Sequence, residues 1–309
     1  LDLYDNCIRE KIILEHIRKG NEAIKSLPEV QNTTPIELCL VADSTSALYS
    51  KHNAGDGLAT AAVGELRRKL NETSLPFRFV MLRDLLDSSR VPPHNLYMFC
   101  NLVMLSKADR IALKKRLQQE NATALWLYGV GVSTENSGPS ADNMSDFLGI
   151  KFVRDDRIAQ KQLKWNFAGK SGKCINFTRT FPWFVPVSGF EKVYGTSDDN
   201  KPALVEWNKN GVRNIFSTLM NLPPELLKEI ARDSGLHIYS ESDDPVLVGN
   251  DVIALHAKSG GTKKLNTLPG TILVPILGPH KKVLKSGEEL ETVAGRTYIF
   301  HVQKNSTIL

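Results

Sequence analysis

The chain has 309 residues, of which 41% are hydrophobic and 24% charged, and it carries a net charge of +5. This length exceeds a usual single hydrophobic core, so we expect two domains or one domain with a large insertion. Basic residues are interspersed with acidic ones, and no apolar run reaches the roughly 18 residues of a membrane span. We therefore expect a soluble protein, in the cytoplasm rather than secreted, without nucleic-acid or membrane partners.

The N-terminal segment, from Asp2 to about Leu27, has isoleucines at helical spacing and is followed by Pro28. It predicts a helical lead over residues 1–30. Four near-continuous apolar runs follow, and they predict strands buried on both faces of a sheet: residues 36–43, 77–82, 95–105 and 123–131. Helical patterns separate them at 55–72 and at 106–121, the second with Ser106 as N-cap. This alternation predicts a parallel sheet with helices on both faces.

The periodicity changes beyond Gly149. Residues 161–178 and 201–218 each predict an antiparallel pair, the second turning through Asn208 to Gly211, and residues 223–235 predict a helix. We assign residues 31–235 to one α/β domain with a β insertion at about 158–217. The short strands of residues 236–309, beginning with "LHIYS", predict a small all-β domain, a sandwich.

The stretch "TALWLYGVG", residues 123–131, is typical of a strand that ends in a glycine turn. Many α/β enzymes hold a nucleophile at such a turn. The predicted tip is Val130, which has no reactive atom, so covalent catalysis is excluded there. Ser133 lies three residues later and reaches the tip only if the register slides. A close packing turn is the favoured interpretation of Gly129 and Gly131.

Ligands of parallel sheets collect at the carboxyl ends of the strands. This rule places the residues after the first, second and fourth predicted strands along one rim, and His237 follows the last predicted helix. We expect no catalytic residue. The candidate binding residues are Asp43, Ser44, Gly129, Gly131, Ser133, His237 and Tyr239.

Cofactors and metals are not indicated by the sequence. The four cysteines lack C-x-x-C spacing, and no histidine has a second ligand at metal-binding spacing. Cys39 and Cys100 lie in apolar runs, which favours buried and unreactive thiols.

Two other features allow carbohydrate binding. One is a group of aromatic residues in the insertion, although buried core positions are favoured for them: Trp165, Trp183, Phe184, Tyr194 and Trp207. The other is "SESDDP", residues 240–245, for which a solvated loop is favoured over a cation or sugar contact.

The order of these elements resembles a known family. The stretch "FVMLRDLLDSSRVPPHNLYMFCNLVMLSKADRIALKKRLQQENATALWLYGVG", followed by "MSDFLGIKF", resembles the trimerisation domain of glycoside hydrolase family 42 (GH42) β-galactosidases. The stretch "GLHIYSESDDPVLVGNDVIALHAKSGGTKKLNTLPG" resembles the junction into their small C-terminal β domain. The likeness spans about Glu37 to Leu309 and depends on the order of soft motifs.

The resemblance implies a flavodoxin-like fold, similar to class I glutamine amidotransferases, and a homotrimer. It implies no glutaminase activity, because the turn lacks the cysteine of the amidotransferases. In addition, His237-Ile238-Tyr239 stands in place of their H-x-E partner motif. In GH42 proteins the two catalytic glutamates lie on a barrel that precedes these domains, whereas a single predicted helix precedes residue 36 here. The resemblance therefore implies the non-catalytic C-terminal half of such a protein, or a protein without the barrel.

Three hypotheses follow. The favoured one is an oligomerisation or scaffold module of a β-galactosidase-like protein. The second is a hydrolase whose site at the rim uses Asp43, Ser133 and His237, which requires that these side chains converge. The third is a carbohydrate-binding module that uses the insertion aromatics or the loop 240–245.

Overall fold

The computed structural model describes residues 11–25, 36–48, 60–157, 162–175, 182–249 and 251–304. Contacts divide the chain into two compact units, residues 36–238 and residues 239–309, and the second unit also takes in the N-terminal residues up to 35. Across the described ranges, no helix has the length and apolar character needed to cross a membrane.

Helices and strands alternate through the first half of the chain, and strands dominate the second half. The helices of the described residues are α1 (Lys11–Lys25), α2 (Ser44–Leu48), α3 (Leu66–Asn71), α4 (Leu82–Leu86), α5 (Lys107–Glu120), α6 (Ala141–Leu148) and α7 (Pro224–Asp233), with a π-helical turn, Thr60–Glu65, leading into α3. The strands of the unit 36–238 are β1 (Leu38–Ala42), β2 (Phe77–Met81), β3 (Leu96–Phe99), β4 (Thr123–Leu127), β5 (Lys151–Asp155), β6 (Gln162–Phe167), β7 (Lys170–Ile175), β8 (Trp183–Ser188), β9 (Lys192–Ser197), β10 (Pro202–Lys209) and β11 (Val212–Ser217).

One sheet of nine strands forms the centre of the unit 36–238, in the order β2-β1-β3-β4-β11-β10-β9-β6-β7. The first five strands are parallel to one another; the alternation of strands and helices predicted this for β1 to β4, but not for β11. The last five are antiparallel, because β11 lies beside β4 and offers its other edge to β10. Most of the predicted insertion thus extends the main sheet, and β5 pairs with β8 in a separate two-stranded ribbon.

The hydrophobic core of this unit follows directly from the apolar runs. Strands β1, β3 and β4 are buried along their whole length, as expected for strands covered on both faces. Phe99 and Trp126 stack with their ring centroids 4.3 Å apart, and the edge of Phe147 on α6 packs against Trp126 at 5.5 Å. Aromatic pairs of this kind add to the stabilisation from burial alone.

The predicted turns and caps are confirmed at several places. Ser106 caps α5, since its hydroxyl accepts a hydrogen bond from the Asp109 amide at 3.1 Å. Asn210 and Gly211 connect β10 to β11 with φ of 52° and 80°, the pair of positive angles that a type I′ hairpin turn requires. Pro224 lies in the first turn of α7.

Some predicted boundaries are wrong. Strand β3 ends at Phe99 and β4 at Leu127, because the following residues leave the sheet to form the loops described below. The predicted helix 55–72 is a π-helical turn followed by α3, and its residues 55–59 lie outside the described ranges. So do residues 1–10 and 26–30 of the predicted N-terminal lead.

Within the second unit, residues 239–304 are built of strands around their own core of buried side chains, which includes Tyr298 and Phe300. Its strands are β12 (Val246–Gly249), β13 (Val252–Ala257), β14 (Gly261–Lys264), β15 (Thr271–Leu277), β16 (Leu284–Lys285), β17 (Glu289–Thr292) and β18 (Arg296–Lys304). They form one antiparallel sheet, β12-β13-β18-β15-β16, and one pair, β14-β17. The predicted strand "LHIYS" does not form.

The sequence predicts a solvated loop at residues 240–245, and this prediction is wrong for Asp244. Asp244 is buried and makes an ion pair with the ammonium of Lys263. It also accepts a hydrogen bond from the Lys258 amide at 2.7 Å. Asp244 therefore holds the loop to the neighbouring strands.

Candidate functional site at the carboxyl rim of the parallel sheet

The position of a ligand crevice in a parallel sheet follows from the strand order. The parallel strands run β2-β1-β3-β4-β11, and the direction of winding reverses between β1 and β3. This is the flavodoxin-like order, in which ligands bind outside the carboxyl ends of the two strands at the reversal. The residues that follow β1 and β3 are Asp43 and the segment from Cys100 to Ser106.

Asp43 and Asn101 meet at this reversal point. The Asp43 amide donates to Oδ1 of Asn101 at 2.7 Å, and Nδ2 of Asn101 donates to the Asp43 carbonyl at 3.0 Å. Both residues are buried. The Asn101 amide thus joins the ends of β1 and β3 where a ligand would otherwise separate them.

The Asp43 carboxylate is used by its own chain. Oδ2 accepts a hydrogen bond from the Ser46 amide at 2.6 Å, so Asp43 caps the short helix α2. The neighbouring Ser44 is exposed. Asp43 therefore positions the helix, and Ser44 and Thr45 present their side chains to solvent.

A chain of hydrogen bonds connects this corner to Ser133. The Ser46 hydroxyl donates to the Met104 carbonyl at 3.1 Å, and the Met104 amide donates back to that hydroxyl at 3.0 Å. The backbone of Ser133 pairs with the same loop, since its amide donates to Val103 at 3.0 Å and its carbonyl accepts from Leu105 at 3.1 Å. The structure therefore brings Asp43 and Ser133 into one network.

The tip of the turn after β4 is Tyr128, not Val130. Tyr128 follows the strand with φ of 58°, a left-handed conformation that is unusual for a residue with a large side chain and is often found at functional sites. Its hydroxyl donates to the Pro182 carbonyl at 2.6 Å, and burial raises the pKa of this phenol. The phenol therefore stays protonated and acts as a donor to the backbone. Val130 is buried.

An oxyanion hole requires free backbone N–H groups, and those of residues 130–132 in this turn are used internally. The amide of Val130 donates to Tyr128, that of Gly131 to Leu102, and that of Val132 to Gly129, at 2.8, 2.6 and 3.3 Å respectively. Gly131 has φ of 63°, and a Cβ atom there would lie 3.1 Å from the Phe147 ring. The two glycines thus form a close packing turn.

Arg110 on α5 fixes this turn from the side. Its guanidinium donates to four backbone carbonyls: Leu105 at 3.1 Å, Asn143 at 2.8 Å, Gly131 at 2.6 Å and Ser133 at 3.2 Å. The side chain of Asn143 donates to the Val132 carbonyl from the opposite side at 2.8 Å. Arg110 therefore joins α5, α6 and the turn, and its positive charge faces carbonyl oxygens.

The N-terminus of α5 also points to the rim, where free N–H groups would attract an anion. Both carboxylate oxygens of Glu135 accept from the Lys107 amide at 3.2 Å. Backbone hydrogen bonds from Glu135 itself and from Lys107 lower the pKa of this carboxyl. An internal carboxylate thus occupies the position that an anionic ligand would take.

His237 does not reach this rim. Its amide donates to Oε2 of Glu37 at 2.8 Å, and the Glu37 carbonyl accepts from Asn95 at 3.0 Å. Glu37 precedes β1, so it lies at the amino edge of the sheet. Six residues of extended chain separate it from Asp43, which is about 20 Å at 3.3 Å per residue. The convergence of Asp43, Ser133 and His237 that the hydrolase hypothesis requires does not occur.

Tyr239 and most of the insertion aromatics are buried, so they are not available to a ligand. Tyr239 belongs to the second unit, where it is buried and its carbonyl accepts from Asn266 at 2.8 Å. Four of the five insertion aromatics are buried, and Tyr194 is half-buried: Trp165, Trp183, Phe184, Tyr194 and Trp207. A sugar ring has no exposed face of these four on which to stack.

Neither the cysteines nor grouped metal-binding side chains add a reactive group to the site in the described residues. Cys39 and Cys100 are free and buried, and burial raises the pKa of each thiol to about 12. Cys7 lies outside the described residues. In the part of the chain that the structure describes, no three His, Cys, Asp or Glu side chains are grouped to hold a metal ion.

No family model and no curated protein sequence matches this chain. Solved structures do. A β-galactosidase from Bacillus circulans sp. alkalophilus is similar with a TM-score of 0.68 and 12% identity, over 94% of this chain and 44% of that one. A GH42 β-galactosidase from G. stearothermophilus gives 0.70 and 12%, over 97% and 45%. A β-galactosidase from Halorubrum lacusprofundi gives 0.65 and 11%, over 92% and 42%.

At these identities the likeness concerns the fold. The chain shares the fold of part of the GH42 β-galactosidases, and it spans less than half the length of each of these three proteins.

Proposed function

We propose that this chain is a non-catalytic oligomerisation or scaffold portion of a β-galactosidase-like glycoside hydrolase, and that it assembles as a homotrimer. In this proposal the unit 36–238 is a trimerisation domain with an amidotransferase-like fold, and the unit 239–309 is a small β-sandwich. The observation that carries the proposal is the structural likeness, which takes in nearly all of this chain but under half of each β-galactosidase.

The state of the rim supports the non-catalytic part of the proposal. A hydrolytic site needs a nucleophile or activated water, a base in reach, and donors for the developing charge. At this rim Asp43 caps a helix, the Tyr128 hydroxyl binds a carbonyl, and the amides of residues 130–133 are bonded internally. These three sets of groups, which such a reaction could otherwise use, already have structural partners.

Exposed apolar side chains support the assembly part. Phe79 and Met81 lie on β2, at the edge of the nine-stranded sheet, and we call them the β2 patch. Val153 and Val187 lie on the paired strands β5 and β8, and we call them the β8 patch. A cyclic trimer is closed by contacts between two different surfaces of each copy. We propose that the β2 patch of one copy packs against the β8 patch of the next.

Two measurements on the purified chain test the proposal. Light scattering should give a mass three times the 34.4 kDa of the chain. Assays with aryl β-galactosides, with an active β-galactosidase as the positive control, should show no turnover. A monomer at micromolar concentrations would contradict the assembly part, and turnover that co-purifies with the chain would contradict the non-catalytic part.

A further inference from the structure

A cavity of about 90 Å³ lies on one side of the nine-stranded sheet, within the unit 36–238. It is bounded by α5, by the end of α6, and by the turn that joins β10 to β11. None of its lining residues belongs to the reversal point between β1 and β3, which is formed by Asp43 and residues 100–106. The cavity is therefore separate from the rim, and nothing in the proposed scaffold role uses it.

The wall of the cavity has an apolar part, and the side chains of Trp126 and Asn214 beside it are hydrogen-bonded, while Gln118 and Asn210 also line the cavity. Trp126 and Phe147 contribute ring edges to the wall, together with Leu117, Leu148 and Val212. The indole Nε1 of Trp126 donates to Oδ1 of Asn214 at 3.0 Å, and the side-chain Nδ2 of Asn214 donates to the Val212 carbonyl at 2.9 Å. The apolar part of the wall thus suits a small apolar group.

Two lysines line the same cavity. The Lys114 ammonium lies 5.2 Å from the centroid of the Phe147 ring, and the end of the Lys209 side chain lies over Gly149, where a Cβ atom would be only 2.9 Å from Lys209 Cε. Gly149 leaves room for this lysine because it has no side chain. Among the described residues, neither Lys114 nor Lys209 forms an ion pair with a carboxylate.

Positive charge is crowded at this point. Burial lowers the pKa of Lys114, the charges of Lys209 and Arg110 lower it further, and Asp146 opposes them. In the described ranges the Arg110 guanidinium binds neutral carbonyl oxygens and no carboxylate, so its positive charge adds to those of Lys114 and Lys209. An anion between Lys114 and Lys209 would relieve this repulsion, because an opposite charge favours both ammonium groups.

We propose that this cavity binds a short-chain carboxylate, with its apolar tail against Trp126, Leu117 and Val212 and its carboxylate between Lys114 and Lys209. The volume sets the size of the tail. An apolar cavity of about 150 Å³ accommodates benzene, so about 90 Å³ suits a chain of three or four carbons. Butyrate has this length and one negative charge, and it is the probe for the test.

Isothermal titration calorimetry of the full chain with four probes separates charge from shape. Butyrate should bind at a single saturable site with a Kd of roughly 1 mM, since six non-hydrogen atoms give limited affinity. Butyramide has the same shape without the charge, butylammonium has the opposite charge, and inorganic phosphate has charge without a tail. Each should bind at least about tenfold more weakly than butyrate. No saturable butyrate binding, or equal binding of butyrate and butyramide, would overturn the proposal.

Variants place the site at the two lysines. Lys114→Met and Lys209→Met keep the aliphatic stem and remove the charge, and each should weaken butyrate binding about fivefold. Lys115→Met, an exposed lysine on the same helix, is the matched control and should bind as the unmodified chain does. If the double variant Lys114→Met/Lys209→Met keeps the unmodified affinity for butyrate, the proposal is wrong. If a variant does not fold, the four probes on the unmodified chain still decide the question.

Discussion

The carboxyl rim and the flanks of the unit 36–238 differ in how far their bonding capacity is used. At the rim, Asn101, Arg110 and Glu135 each bind backbone groups that a ligand would otherwise meet. On the flanks, the β2 patch and the β8 patch expose apolar side chains, and Lys114 and Lys209 have no carboxylate partner among the described residues. At the edge where such sheets usually bind ligands, side chains of this chain occupy many of the backbone groups. The surfaces that can still bind another molecule are the two apolar patches and the lysine pair on the flanks.

The largest expected effect concerns the flanks. A charge placed in an apolar contact must be desolvated, so Met81→Lys and Val187→Lys should each reduce the trimer to monomers. Ile111→Lys is the control, because Ile111 is exposed on α5 outside both patches, and it should leave the trimer intact. Light scattering measures all three masses.

Mixing the two variants tests which surfaces meet. In a cyclic trimer, Met81→Lys keeps its β8 patch and Val187→Lys keeps its β2 patch, so an equimolar mixture should form a heterodimer through the one intact contact. Monomers in the mixture would show that these two patches do not contact each other.

The rim should respond with loss of stability. Arg110→Met removes a guanidinium that binds four carbonyls, and it should lower the free energy of unfolding by about 3 kcal/mol. Arg110→Lys should recover only part of this loss, because an ammonium cannot reach all four acceptors. Urea unfolding measures both, with Lys115→Ala as the exposed control on the same helix. A loss under about 0.5 kcal/mol for Arg110→Met would mean that the turn needs no such clamp.

A smaller loss is expected where β1 and β3 end. Asn101→Ala removes both hydrogen bonds to the Asp43 backbone and should cost about 2 kcal/mol. Asn136→Ala, an exposed asparagine in the loop before α6, should change the unfolding free energy by less than about 0.5 kcal/mol. Equal effects from the two substitutions would show that Asn101 does not hold the rim closed.

The smallest expected effect is a pH dependence of the free energy of unfolding that arises from Glu206, a carboxylate with several hydrogen-bond partners. Glu206 on β10 accepts from Lys192 at 2.9 Å, from Arg213 Nε at 2.9 Å and from Tyr194 at 3.2 Å. Burial raises the pKa of this carboxyl, but the hydrogen bonds and charges of Lys192 and Arg213 outweigh burial and bring it below its ordinary value of 4.5. Since the folded-state pKa is lowered, the stabilisation is present above pH 4.5 and is lost as the pH falls through the folded-state pKa.

Glu206→Gln should therefore cost about 1.5 kcal/mol at pH 7, and the difference from the unmodified chain should shrink below pH 4.5. Urea unfolding at a series of pH values measures it, with the exposed Glu225→Gln as control. A difference that stays constant or grows toward low pH would contradict the stated direction of the pKa shift.

The sequence predicted the elements of the parallel sheet because their signal is local. Strands β1 to β4 are apolar runs, and Ser106 is a cap adjacent to the helix that it caps. The antiparallel pairs β6–β7 and β10–β11 were also predicted, but their place in the main sheet was not, because nothing in residues 201–218 indicates that β11 lies beside β4.

The hydrogen-bonding state of the rim could not be predicted. Asp43 and Ser133 are linked through Ser46 and the backbone of the loop 103–105. The His237 amide binds Glu37 at the opposite edge, and a contact between residues 200 positions apart has no sequence signal. Asn101 and Arg110 were missed for the same reason, because their partners are backbone groups of distant residues. Tyr128 was not predicted as the tip, because a left-handed conformation favours glycine and the two glycines of this turn, Gly129 and Gly131, flank Val130.

The measurement that tests the account most directly is the solution mass of the unmodified chain by light scattering at micromolar concentration. We expect three times 34.4 kDa, held as the protein is diluted over about tenfold. A mass of 34.4 kDa throughout that range would contradict the claim that the flanks of this closed-rim unit serve to assemble copies of the chain.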